Sequence, residues 1–213
     1  MSDTREAHEM VYGEHGLYQL GDSRTIYEDR FSRTAEVQPC DSEGNPQVDQ
    51  AGQPMNYIIW EEEPYCVVLI IDCKENVYLT EQVKMASLEP LIEAVAGGIK
   101  PGQTAEEAAI AETLEEAGVT VKSITEVGQV IPQTHRFRER GTGVDGVPPR
   151  CKTAHHFVAV VDSIGEQQLE ALERIKLMPP ISIDDALEMC LDGRILNSDT
   201  VIQIMRYSIT RFD

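Results

Sequence analysis

Three glutamates, Glu112, Glu115 and Glu116, could do chemistry if a helix brings them to one face. Their spacing of i, i+3 and i+4 makes them neighbours on a helix surface, where like charges repel by about 0.2–0.5 kcal/mol per pair. No lysine or arginine occurs between Lys100 and Lys122, so the segment offers these carboxylates no cationic partner. Either water solvates this acidic face or a hard divalent cation binds to it, since Mg²⁺ prefers carboxylate oxygens and often acts beside phosphates.

Local signals predict where this helix begins and ends. Thr104 and Glu107 fit a capping box, which places the first helical residue at Ala105. Gly118 stands where a left-handed C-terminal cap is expected. The helix therefore spans about 13 residues between these two caps.

The predicted helix has two distinct faces. With 100° of rotation per residue, Ile110, Leu114 and Ala117 lie together, on the side opposite the three glutamates. We therefore expect these three apolar residues to face the core.

The rest of the chain indicates a mixed α/β class. Residues 65–72 form a continuous apolar run, which is typical of a strand buried on both faces, and residues 77–84 are its expected antiparallel partner. Residues 41–54 are rich in turn formers and are predicted to link two strands of a long hairpin. Further strands are predicted over residues 119–131 and 153–162.

Two helices are expected to close the chain. The first covers residues 184–192 and ends at Gly193, and the second begins at Asn197 or Ser198. One face of the second helix is apolar, and we expect it to be buried. Its members are Val201, Ile204, Met205 and Ile209.

The composition excludes several classes of partner. A net charge of −19 disfavours nucleic acids and anionic membrane surfaces, because binding to either requires lysine and arginine. The longest apolar runs are too short to span a bilayer. The five cysteines form no CxxC pair, and the first ten residues lack an apolar signal-peptide core. We therefore expect a cytoplasmic protein with free thiols.

A basic segment interrupts this acidic chain at residues 133–152. Its five basic residues are Arg136, Arg138, Arg140, Arg150 and Lys152. Arginine can contact phosphate oxygens through two hydrogen bonds at once, so the segment could clamp a phosphorylated substrate. A solvated loop explains the same composition.

Residues 97–119 resemble the Nudix box, whose pattern is G-x5-E-x7-R-E-U-x-E-E-x-G-U, with U a bulky apolar residue. The matching positions are Gly97, Glu112, Glu115, Glu116, Gly118 and Val119. The departures are Gln103 for glutamate, Ala111 for arginine and Thr113 for the apolar residue. Flanking residues 79–84, 93–97 and 192–202 are similar to the ADP-ribose pyrophosphatase branch of the Nudix superfamily.

The resemblance implies a fold and an assembly. It implies a Nudix fold of the α/β class, with a mixed β-sheet sandwiched between helices and an N-terminal β extension. Residues 1–60 would form that extension and contribute to a homodimer, and residues 61–213 would form the Nudix hydrolase domain.

The resemblance also implies a metal site. Glu112, Glu116 and the main-chain carbonyl of Ala96 would hold Mg²⁺, with Mn²⁺ as an alternative, and Glu115 would lie beside them as a further ligand. The arginine that normally orients the first of these carboxylates is Ala111 in this chain. The loss of such an orienting partner typically lowers affinity or activity by about 10–100-fold.

Substrate contacts follow from the same resemblance. Gly97 and Gly98 would let the main chain approach the phosphates, Arg136 and Arg138 would bind them, and Glu139 would act as general base. The implied reaction is the metal-dependent hydrolysis of the pyrophosphate bond of ADP-ribose or a related nucleotide sugar.

Two other functions stay open at this point. Ala111 and Gln103 are also compatible with a weak or inactive Nudix module that binds a nucleotide or nucleotide sugar. The box itself does not read the base or the sugar, so GDP-mannose or a dinucleoside polyphosphate is a further candidate substrate.

Overall fold

The structure is a computed structural model that describes residues 19–30, 32–41, 43–84, 89–132, 136–142 and 150–211. The described residues form strands and three helices. The strands are β1 (Gln19–Glu28), β2 (Ser32–Cys40), β3 (Tyr57–Glu62), β4 (Tyr65–Ile71), β5 (Asn76–Tyr78), β6 (Thr80–Val83), β7 (Pro90–Glu93), β8 (Val95–Gly98), β9 (Val119–Val130), β10 (Phe137–Glu139), β11 (Ala154–Ile164), β12 (Ile175–Leu177) and β13 (Ile181–Ser182). The helices are α1 (Ala105–Ala117), α2 (Ile183–Leu191) and α3 (Ser198–Thr210).

The chain divides into two compact units. The first combines residues 1–62 with residues 133–152, and the second combines residues 63–132 with residues 153–213. The sequence predicts a single boundary after residue 60, whereas the structure places the basic segment 133–152 with the N-terminal unit. The predicted dimerisation through residues 1–60 stays a prediction, and residues 1–18 lie outside the described residues.

The first unit contains one sheet with the strand order β1-β2-β3-β10. Strands β2 and β3 form the long hairpin that the turn-rich segment predicts, and β10 pairs in parallel with β3. On this sheet Arg138 is buried and forms an ion pair with the buried Glu61. Arg33 forms a second ion pair with the same carboxylate.

The second unit contains a mixed sheet with the strand order β13-β5-β4-β11-β9, and β8 pairs with β4. Strand β11 runs parallel to β4 and antiparallel to β9. Side chains of β4 alternate between two clusters: Cys66, Val68 and Ile70 pack with α1, whereas Leu69 and Ile71 pack with α2 and α3. The prediction of a strand buried on both faces is therefore confirmed, with helices on each side of the sheet.

The predicted strand over residues 77–84 is wrong as a single element. Strand β5 pairs antiparallel with β4, but β6 belongs to a separate sheet of order β12-β6-β7. Only three residues continue the hairpin after the turn at 72–76, because β6 then pairs with β7 and β12.

Two predicted core faces also need correction. Ile110 and Leu114 of α1 are 41% and 37% exposed, and Met205 and Ile209 of α3 are exposed as well. Ala117 is buried as predicted, and the other buried residues of α1 are Ala108, Ala109, Thr113 and Glu116.

Helix α3 turns polar side chains towards the sheet because they bind groups there. Gln203 donates from its side-chain amide to the carbonyl oxygens of Val67 and Phe157, at 2.7 and 3.1 Å. Within the described residues, no helix combines the length and the apolar character needed to cross a bilayer.

Candidate metal and catalytic site

Helix α1 is held at both ends as the sequence predicts. The Thr104 hydroxyl accepts from the main-chain N–H of Glu107, and the Glu107 carboxylate accepts from the N–H of Thr104, so the capping box is confirmed. Gly118 ends the helix in the left-handed region, with φ of 65°. These caps fix the axial position of the glutamates relative to strand β8.

Glu112 lies directly against the main chain of Gly97. A Cβ atom at position 97 would overlap the Glu112 carboxyl group, so only glycine fits there in this arrangement. Gly98 meets no such neighbour. Beneath this contact, the Cys66 thiol of β4 donates to the Gly97 carbonyl oxygen, with Sγ and O separated by 3.4 Å.

The Glu116 side chain points to Ala96 of β8, the residue before Gly97. It is 6% exposed, and its Oε2 accepts from the Ala96 N–H at 3.3 Å. The structure thus brings Ala96, Gly97, Glu112 and Glu116 together, while Glu115 is half-buried on the same helix.

Burial and nearby negative charge destabilise the ionised form of both carboxylates. Burial, together with the charge of Glu115, raises the pKa of Glu112 to about 7. Burial and the charge of Glu112 raise the pKa of Glu116 to about 8, although the hydrogen bond from Ala96 opposes this shift. A cation bound between them would remove both penalties.

Two lysines partly offset this negative potential. Lys100 lowers the pKa of Glu112, and Lys84 lowers that of Glu116. The Lys84 ammonium also forms a 2.8 Å ion pair with the buried Glu93. Neither lysine is predictable from the sequence as a neighbour of these carboxylates, because each acts from a different segment of the chain.

A second acidic segment approaches the site from residues 165–173, which we name the strap. Its Glu170 and Glu173 both raise the pKa of Glu112 through their charge, and Glu173 does the same to Glu116. The Glu173 carboxylate also accepts from the Glu170 N–H at 2.7 Å, which holds the strap in a turn. The sequence signal was a pair of glutamates just before a short strand, and it is too common to stand out.

The residues fit a hard divalent cation. Within the described part of the chain, no three histidine, cysteine, aspartate or glutamate side chains are close enough to hold a metal ion by themselves. Mg²⁺ usually needs only one or two carboxylates, because it keeps several waters and takes other oxygens as ligands. One half-buried and one buried carboxylate beside the exposed, glycine-containing end of β8 match that requirement.

The other predicted substrate-binding residues belong to the first unit. Arg138 is paired with Glu61, Arg140 with Glu28, and Lys152 with Glu62. Arg136 has an exposed side chain. Glu139 lies on β10, where its N–H donates to the Arg150 carbonyl oxygen at 2.9 Å. Residues 133–135 and 143–149 of this segment lie outside the described residues.

Comparisons with known proteins agree with this geometry. Residues 63–192 match the NUDIX domain, which covers more than half of the chain. A solved structure described as "Crystal structure of ADP compounds hydrolase" superposes with a TM-score of 0.66 at 14% sequence identity, over 90% of this chain and 92% of that one. No curated protein matches the sequence. Because the NUDIX match includes β8, α1 and the strap, the chain belongs to the NUDIX family.

Proposed function

We propose that this chain hydrolyses the pyrophosphate bond of a nucleoside diphosphate sugar, with ADP-ribose as the first candidate. The observation that carries the proposal is the pair of carboxylates of the half-buried Glu112 and the buried Glu116, held against β8 with raised pKa values. The similar solved structure is an ADP compounds hydrolase, which favours a nucleotide-derived substrate.

Glu112 and Glu116 would hold the divalent cation, Mg²⁺ or Mn²⁺, together with the Ala96 carbonyl oxygen. A bound divalent cation would neutralise pyrophosphate charge and lower the pKa of a bound water. Gly98 lies on the exposed end of β8, where its main chain leaves room for a phosphate group. Lys84 supplies a positive charge beside Glu116 that could pair with the same phosphates.

The proton of the attacking water needs an acceptor. We assign this role to Glu173, because its carboxylate interacts electrostatically with both Glu112 and Glu116 and is only half-buried. The water oxygen would form a bond to one phosphorus while the bridging P–O bond breaks, and Glu173 would take the proton. Glu139, predicted from the sequence, stays the competing candidate, and Arg136 and Arg138 stay predicted phosphate ligands.

Comparison of Glu173→Gln with Glu139→Gln separates the two candidate bases. General acid–base catalysis typically accelerates a reaction by about 10²–10⁴-fold. The kcat of the variant that removes the base should therefore fall by a factor in that range. It should also lose the acidic limb of the pH–rate profile, and the other variant should keep it. A normal acidic limb in Glu173→Gln would reject our assignment.

A substrate panel tests the activity itself. ADP-ribose, GDP-mannose and a dinucleoside polyphosphate would be incubated with the full chain over a titration of Mg²⁺ and of Mn²⁺, and phosphate-containing products would be measured. We expect hydrolysis of ADP-ribose that depends on the metal and is absent in Glu116→Gln. If no substrate gives product above the Glu116→Gln background, the proposed activity is wrong.

A second candidate function is a binding module with little or no turnover. It is favoured by Ala111 and by the absence, among the described residues, of any hydrogen bond to the Glu112 carboxylate. Calorimetry that shows tight ADP-ribose binding without hydrolysis would support this candidate. An Ala111→Arg variant that turns substrate over about 10–100-fold faster would instead indicate an enzyme attenuated by loss of its orienting arginine.

The proposed assembly is a homodimer formed through residues 1–60. Sedimentation of the full chain and of a chain that begins after residue 18 would test it. A monomeric full chain would contradict this part of the proposal.

A further inference from the structure

The strap donates hydrogen bonds to carbonyl oxygens at the C-terminal end of α1. Helix ends leave several carbonyl oxygens without a partner inside the helix. Here the Gly165 N–H donates to the Gly118 carbonyl oxygen at 2.7 Å, and the Gln168 N–H donates to that of Glu115 at 2.8 Å. The strap is therefore attached to the very turn of helix that carries Glu115 and Glu116.

Gln167 adds a bond of a different kind. Its side-chain amide donates to the Glu116 carbonyl oxygen and, at 3.5 Å, to the Ile175 carbonyl oxygen. An amide NH₂ group carries two hydrogens, so one side chain can serve both acceptors. Ile175 is the first residue of β12, and thus Gln167 joins the end of α1 to the beginning of that strand.

These two hydrogen bonds of the Gln167 amide close a small loop that carries Glu173. The Gln168 N–H binds the end of α1, and the chain then turns through Glu170 and Glu173. The loop closes where the Ile175 carbonyl oxygen accepts a hydrogen bond from the Gln167 side chain. Among the described contacts within this loop, the hydrogen bond to Ile175 that closes it comes from the Gln167 side chain. The Gln168 bond to α1 comes instead from a main-chain N–H group. A substitution can therefore remove the closing link and leave the attachment intact.

We propose that Gln167 is a positioning residue, which holds Glu173 at a fixed distance from Glu116. The inference rests on the proposed function, because it assigns both carboxylates to one site. Gln167 itself does not touch the substrate or the cation. Its single amide group binds both the helix turn that carries Glu116 and the end of the loop that carries Glu173.

The test compares the same substitution at two adjacent glutamines. Gln167→Met keeps the length of the side chain and removes both donors. Gln168→Met is the matched control, since Gln168 binds α1 through its main-chain N–H and its side chain is exposed. A third variant, Gln167→Lys, retains donors at a similar reach, and a cation suits the C-terminal end of a helix.

Three quantities would be measured on the full chain: kcat and KM with ADP-ribose, Mn²⁺ affinity by electron paramagnetic resonance, and Tm. We expect Gln167→Met to lose kcat and Mn²⁺ affinity by about 10-fold or more, as is typical when a group that orients a ligand is removed. KM should stay within about twofold, and Gln168→Met should match the wild type within the same margin, as surface substitutions do. Gln167→Lys should recover most of the lost kcat.

The outcomes separate the inference from the proposed function. If the wild type hydrolyses ADP-ribose and the two methionine variants behave alike, the positioning role is wrong and the function stands. A fall in Tm alone for Gln167→Met, with kcat and Mn²⁺ affinity unchanged below the melting range, would also overturn the positioning role. A wild type that neither hydrolyses the substrate nor binds Mn²⁺ overturns both.

Discussion

Glu116 faces opposing demands from folding and from chemistry. Its carboxylate is buried and accepts one hydrogen bond from Ala96, yet it stands beside the carboxylate of Glu112. In the absence of a cation, ionisation of Glu116 therefore costs stability. The same ionised form is the one that would bind the metal.

Replacement of Glu116 by glutamine should change activity and stability in opposite directions. The amide oxygen can still accept from Ala96, and a neutral group removes the repulsion with Glu112. We expect Glu116→Gln to lose more than about 100-fold in metal-dependent hydrolysis, beyond the usual effect of an orienting group. In EDTA at pH 8 its Tm should exceed that of the wild type.

Glu106→Gln provides the matched control for this change. It removes the same charge from an exposed position of the same helix and should shift stability by no more than about 0.5 kcal/mol. A Glu116→Gln variant less stable than the wild type in EDTA would show that ionisation of Glu116 does not destabilise the folded chain.

The stability of the metal-free chain should also depend on pH. An ordinary glutamate has a pKa of 4.5, whereas burial raises that of Glu112 to about 7 and that of Glu116 to about 8. Between those values the folded chain holds protons that the unfolded chain has lost, so stability falls as the pH rises from 4.5 to about 8. Thermal melts of wild type and Glu116→Gln in EDTA should therefore diverge over this range, and saturating Mg²⁺ should raise the Tm of the wild type more than that of the variant. Parallel curves would contradict the raised pKa values.

At the scale of elements, the contact between β8 and α1 depends on one glycine. A methyl group at position 97 would overlap Glu112, so Gly97→Ala should displace that carboxylate. Because the atoms that must move are the end of a flexible side chain, we expect kcat to fall more than Tm. Gly98→Ala is the control, because a Cβ there meets no atom within 4 Å. Equal kcat in the two variants would exclude the proposed contact.

The join between α1 and the strap depends on Gly118. Its φ is 65°, and a Cβ there would lie 2.6 Å from the Gly165 carbonyl oxygen. Gly102 has a similar φ of 84° but open space around it, so Gly102→Ala measures backbone strain alone, about 1–2 kcal/mol. Gly118→Ala should be clearly more destabilising than Gly102→Ala in denaturant titrations. If the two costs are the same, the strap does not press on the helix end.

The limits of sequence reasoning are visible in these same elements. The caps of α1 were predictable because Thr104, Glu107 and Gly118 act on neighbours within one or two turns. Most of its buried face was not, because Ala108 and Ala109 pack in the core while the larger apolar residues Ile110 and Leu114 stay exposed. Hydrophobicity ranks isoleucine and leucine above alanine, but close approach favours the smaller side chain.

The site was predictable only in part, for a related reason. Resemblance to the Nudix box identified Glu112 and Glu116, whose spacing is local and ungapped. Glu173 comes from a segment more than 50 residues later, and hydrogen bonds from the strap to the end of α1 and from β6 to Arg174 hold this segment in place. No periodicity or spacing in the sequence encodes that return.

At the scale of the whole molecule, charge dominates. With 37 acidic and 18 basic residues the chain carries a net charge of −19, which favours solubility and opposes compaction. Raising ionic strength from about 0.01 M to about 0.15 M shortens the Debye length from roughly 30 Å to roughly 8 Å. We therefore expect Tm to rise with KCl over this range, and to rise equally with choline chloride if no specific ion is involved. A Tm that falls with salt would mean that the surface ion pairs outweigh the net repulsion.

The division of the chain into units has a consequence for biosynthesis. Strand β10 and Arg138 complete the first unit, yet the ribosome makes them only after β4 to β9 of the second unit. Until then Glu61 lacks one of its two arginine partners. The sheet of the first unit therefore cannot be completed until residues 137–139 have been synthesised, after most of the strands of the second unit.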